Sequence, residues 1–189
     1  MCFLGEEAAK RTQGNITEVG KRITVSPVPR FQLILTSFLS AWVVALVNIA
    51  LIMLYFVRGI KVINIHGQVG IVSLVLILGC TAGVAFGVFI ESLGKWRQGA
   101  KSALLIGSAM LCAFLSGLMI RSMKDLVETH VPLLNRINPA ALIADAFYCV
   151  AIYHDESRLW RDLCLLGVIS CVLLLAGWQK TRRMRYDSV

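Results

Sequence analysis

Asp145 is the ionisable residue set deepest in an apolar helical stretch of this sequence, NPAALIADAFYCVAIY. An acid in such a setting is a functional candidate by default. The competing reading makes it an interfacial ion pair, with Arg136 or Arg121 as partner. Glu91 closes an apolar run and reads as interfacial. Other chemistry is sparse. His66, His130 and His154 are scattered, and no H-E-x-x-H places two of them on one helix face. No G-x-x-x-x-G-K-[ST] is present, so the chain carries no P-loop for ATP. No G-x-S-x-G nucleophile occurs, and Gly107-Ser108 reads as small-residue helix packing. The six cysteines (Cys2, Cys80, Cys112, Cys149, Cys164, Cys171) form no C-x-x-C pair and lie mostly in apolar runs. Buried thiols of that kind behave as small hydrophobes, and their spacing implies neither a disulfide framework nor a metal site. An intramembrane enzyme needs several convergent polar groups, which this sequence does not supply. The expectation is a non-enzyme with no catalytic residue, cofactor or metal of its own.

The elements that must position these residues are apolar helices. The chain of 189 residues is 57% hydrophobic and 16% charged, the balance of a polytopic membrane protein. The net charge of +8 collects at the ends of apolar runs instead of forming one patch, which argues against nucleic acid as a partner and for the lipid bilayer. An all-α integral membrane fold is expected, with four spans at about residues 31–57, 69–90, 102–120 and 163–179. The first is roughly 40 Å long at 1.5 Å per residue, more than the ~30 Å hydrocarbon core, so it must tilt or protrude. Asn48 within it reads as an interhelical hydrogen-bonding residue. In the second span Gly79, Gly83 and Gly87 fall four apart, a face on which another helix can approach closely. Trp160 and Trp178 flank the fourth span as interfacial anchors.

Between the third and fourth spans, about residues 122–152 carry too much charge and too many prolines to cross a membrane. Two short helices are predicted there, over 122–134 and 139–152. Asn138 is the N-cap of the second, with Pro139 at its first position. Each is shorter than the ~20 residues a span requires, so the hairpin is expected at or dipping into the membrane surface. Residues 1–30 are polar. Within them 13–25 can form a short helix before Pro27 and Pro29, either as a docking element or as a solvated tail.

Four spans put both termini on one side. With that side inside, the inner segments hold 12 of the 19 Lys and Arg residues, including the tail 180–189. The positive-inside rule then places both termini in the cytosol.

The hairpin sequence SGLM, an amphipathic helix, then P-x-x-N-x-x-N-P-A-A-L-I-x-D-A-F-Y resembles the extracellular hairpin before the last span of type-2 ABC exporter permeases. Its motif residues are Pro132, Asn135, Asn138, Pro139, Asp145 and Tyr148. GKRITVSPVPRFQLILTSFLSAW is similar to that family's cytosolic coupling region. The resemblance implies an ATPase-coupling segment with Asn15, Thr17, Lys21, Arg22 and Arg30 in it. It also implies a separate ABC ATPase subunit, a second permease half and a place in the cell membrane. The expected function is a permease subunit coupling ATP hydrolysis on that partner to export. The alternative is a non-transporting scaffold or immunity-type membrane protein. Permeases of this family have six spans and four are found, which suggests a truncated or split permease. The substrate is not named by any residue.

Overall fold

The computed structural model describes residues 1–11, 30–55, 69–93, 96–130, 132–150 and 156–183. These form eight helices and no strand: α1 (Cys2–Arg11), α2 (Arg30–Tyr55), α3 (Val69–Glu91), α4 (Gln98–Leu115), α5 (Arg121–His130), α6 (Pro132–Ile137), α7 (Pro139–Tyr148) and α8 (Glu156–Arg183). Four are long and apolar enough to cross a membrane, over Gln32–Tyr55, Gly70–Glu91, Gln98–Leu115 and Glu156–Lys180. The fold is therefore that of an all-α integral membrane protein.

Inside lipid a hydroxyl must find its partner within the protein. Here several span hydroxyls bond back to their own helices. Thr36 Oγ1 donates to the Gln32 carbonyl (2.6 Å), Ser37 Oγ to Leu33 (2.8 Å), Ser73 Oγ to Gly70 (2.7 Å) and Thr81 Oγ1 to Leu78 (2.6 Å). On α2 the residues Leu35, Leu39, Val43, Val47 and Leu51, each four apart, are exposed, forming the apolar stripe expected of a lipid-facing span.

α4 begins at Gln98 and ends at Leu115, shifted towards the N-terminus from the span expected at 102–120. Its end is set by Gly117, whose φ of 79° lies in the left-handed region. The Leu118 amide reaches the Ala113 carbonyl (3.3 Å) and the Gly117 amide reaches Phe114 (3.1 Å), the paired bonds that close a helix on a glycine. Its start precedes Lys101 because that lysine is buried and paired, as described below. The helix predicted over 122–134 is instead two, α5 and α6, the second opening at Pro132. Residues 156–162, which precede the fourth span expected at 163–179, belong to α8.

The chain divides into two compact units. One holds residues 46–82 and 107–169. Its core joins Val72 and Val75 of α3, Ala146 of α7 with Cys149 and Val150 just beyond it, and Leu159 and Leu163 of α8. Ala82, Leu142 and Leu166 form a second cluster among the same three helices. The ten residues of α7 reach only about 15 Å, and Ala141, Leu142, Ala144 and Ala146 are buried. Such a piece is tolerated beside spans because protein, not lipid, surrounds its ends. A Cβ at Gly79 would meet Ile143 of α7 at 3.4 Å.

The other unit holds residues 1–45, 83–106 and 170–189. Its organising feature is the seating of α1 on α3. A Cβ at Gly87 would run into the Cys2 carbonyl and lie 2.8 Å from the Glu6 nitrogen. Reciprocally, a Cβ at Gly5 would strike the Val84 carbonyl, and one at Gly83 would sit 3.0 Å from Met1 Cβ. Glycine on both helices lets the two backbones touch. The Gly177 position of α8 packs at ordinary distance on Ser92 and Phe89.

Candidate functional site

The second unit contains a buried polar cluster that spacing alone did not assemble. Glu91, the last residue of α3, has a side chain 0% exposed and pairs at 3.0 Å with Lys101 of α4, whose side chain is 4% exposed. The Lys101 ammonium donates to Glu91 Oε1 and also to the Glu91 backbone carbonyl, both at 3.0 Å. That carbonyl is one of the acceptors left over at a helix C-terminus, where a cation is also favoured by the helix dipole. Gln98 Nε2 bridges Glu91 Oε2 (3.2 Å) and Glu6 Oε1 of α1 (3.3 Å). Ser102 Oγ donates to the same Glu6 oxygen. Three helices thus share one network, and Glu6, Glu91 and Lys101 are all buried. Glu91 closes the crossing-length stretch of α3, and there its side chain is buried because Lys101 of α4 lies against it. The signal was a carboxylate closing one apolar run and a lysine opening the next.

The hairpin has its own anchors in the first unit. Asn138 has extended backbone (φ −76°, ψ 111°), and its Oδ1 accepts from the Ala140 amide at 3.0 Å, with Pro139 following at the first helical turn. The Asn138 Nδ2 donates to the Cys112 carbonyl of α4 at 2.7 Å. Asp145 faces α8, where Arg158 binds its Oδ2 through Nη2 (2.8 Å) and Nε (2.9 Å). Arg158 thus meets Asp145 where the sequence had offered Arg136 or Arg121 as the partner, because α7, which follows directly on α6, also packs on α8. Tyr148 is exposed at the end of α7, and Asn135 of α6 keeps Oδ1 buried with no hydrogen-bond partner among the described residues. Pro132 opens α6, and Arg30 opens α2. Asn15, Thr17, Lys21 and Arg22, with the helix expected over 13–25, lie outside the described residues.

Four crossing-length helices, a short helix packed against two of them and polar groups tied at helix ends define a multi-pass helical membrane protein. A family model described as ABC-2 family transporter protein matches residues 12–178, so the chain belongs to that family. It is a membrane permease of an ABC system, a transport and not a catalytic subunit, of a kind that works with an ABC ATPase in a lipid bilayer. No curated protein and no solved structure matches it.

Proposed function

We propose that the chain is the membrane subunit of an ATP-driven exporter in the cell membrane, with both termini cytosolic and a second permease half beside it. ATP is hydrolysed on the separate ATPase. Residues 13–30, with Asn15, Thr17, Lys21, Arg22 and Arg30, form the main docking segment, and the turn between α3 and α4 makes a smaller contact on the same side. The observation that carries the coupling is the Glu91–Lys101 pair. It ties the end of α3 to the start of α4 across that turn at 3.0 Å, so a push on the turn moves both spans together. Burial makes the tie stiff, because separating the charges would strand each in a medium that does not solvate it.

The test is cross-linking from Thr17→Cys to the ATPase subunit co-expressed with the chain, with and without ATP. A cross-link whose yield changes with nucleotide is expected. None under either condition would overturn the docking assignment. In the same cells, cysteines replacing Ser122 and Ser157 should react with an impermeant thiol reagent and those replacing Thr12 and Ser188 should not. The reverse pattern would invert the orientation.

A further inference from the structure

Around Asp145 the packing of α7 on α8 gathers donors that the exporter function does not use. Asp145 and Cys149 lie one helical turn apart, and Asp162 comes from the second turn of α8. One oxygen from each carboxylate and the Cys149 sulfur all lie within 4.8 Å of one another. Two of the donors are enclosed, Cys149 at 1% and Asp162 at 2% exposed, and the Asp145 side chain is 13% exposed. Cys149 forms no disulfide. The arginines that bind these carboxylates approach from the open side, with side chains 38% and 56% exposed. Arg158 holds Asp145 Oδ2, and Arg161 holds Asp162 Oδ1 through Nε (3.3 Å) and Nη2 (3.2 Å). The second oxygen of Asp162, Oδ2, is buried without a hydrogen-bond partner among the described residues. A carboxylate offers only acceptors unless it takes up a proton, so two facing each other out of water hold either a proton or a metal cation between them.

We propose that Asp145, Cys149 and Asp162 bind a thiophilic divalent cation of the Zn2+ class, which clasps the hairpin to α8. The donor set selects the ion. Mg2+ and Ca2+ take six or more oxygens, whereas one sulfur with two carboxylate oxygens suits Zn2+, with a fourth position open to water. Ligand atoms on a tetrahedral Zn2+ lie roughly 3.5 Å apart, so atoms already within 4.8 Å of one another need only a small closure on binding. The Cys149 thiol gives up its proton to solvent as the metal–sulfur bond forms, which offsets one of the two added charges beside Arg158 and Arg161. The two arginines keep their outer oxygens and orient the carboxylates, as partners behind metal ligands do.

The experiment titrates the purified full chain in detergent with Co2+, a coloured substitute for Zn2+. Expected are one Co2+ per chain, a thiolate-to-cobalt charge-transfer band, displacement by Zn2+ and no displacement by Mg2+. Cys149→Ser should abolish the band. Asp162→Asn, which keeps the shape of the side chain, should weaken binding by at least the roughly 10–100-fold that loss of an outer partner costs. Absence of the band in the unaltered chain would overturn the proposal, and so would a band that survives Cys149→Ser. Should Cys149→Ser not fold, thermal unfolding decides. Zn2+ should raise the midpoint of the unaltered chain and not that of Asp162→Asn, and an equal rise in both, or none in either, would defeat the site.

Discussion

Removing the charge of Lys101 while leaving Glu91 in place is the sharpest perturbation of this structure. In Lys101→Met the Glu91 carboxylate stays 0% exposed, loses its 3.0 Å ammonium partner and keeps the Gln98 amide. Breaking a buried pair from one side costs about 3–5 kcal/mol, because the remaining charge has lost its counter-charge in a medium that solvates it poorly. For a chain of this size about 1 kcal/mol moves the melting midpoint by roughly 2–4 °C, so a fall of roughly 6–20 °C is expected. The internal control is Lys10→Met. Lys10 pairs with Glu7 at 3.4 Å with 28% and 55% of the side chains exposed, and such pairs contribute about 0.2–1 kcal/mol. Thermal unfolding in one detergent, followed by tryptophan fluorescence, measures both. The double variant Glu91→Gln/Lys101→Met removes both charges and keeps an acceptor for Gln98, so it should recover more than half of the loss. A Lys101→Met midpoint no lower than that of Lys10→Met would refute the burial of this pair. A double variant as unstable as the two single variants summed would show that the groups do not interact.

Other outcomes follow from the close contacts. Gly87→Leu should unseat α1 and lower stability by about 1–3 kcal/mol, read as a drop in midpoint and as faster alkylation of Cys2, whereas Gly99→Ala, with nothing within 4 Å, should be silent in both. Gly117→Ala should cost about 1–2 kcal/mol, because φ 79° strains any Cβ-bearing residue; an unchanged midpoint would mean that α4 ends otherwise. Asn138→Ala should cost about 2 kcal/mol, from the lost cap and the lost bond to Cys112. Asn138→Asp keeps the cap but sets a carboxylate against the Cys112 carbonyl, so its midpoint should fall as well, and full stability there would remove the Nδ2 contact.

The spans were legible because uninterrupted apolar length is a local property that packing does not overrule, and the cap at Asn138 because N-P-A-A is a local signal. What was hidden depended on tertiary pairing. Cys2–Arg11 reads as a polar, mixed-charge stretch, and only the glycines it meets at 83 and 87 make a seat for it. Those glycines announced a close approach without saying which helix approaches. Sequence position marked Glu91 as the end of a span and does not show that Lys101 of α4 covers it. Asp145 was visible as a lone acid, but Arg121, Arg136 and Arg158 were equally available in the sequence. The packing of α7 against α8 is what brings Arg158 to Asp145.

Asn138 holds two helix ends with one amide group: it starts α7 through Ala140 and occupies the Cys112 carbonyl near the end of α4. Neither end can fray without releasing the other. In amide exchange, the first turn of α7 and the last turn of α4 should therefore open as a single unit and share one protection free energy, although some 26 residues separate their anchor points.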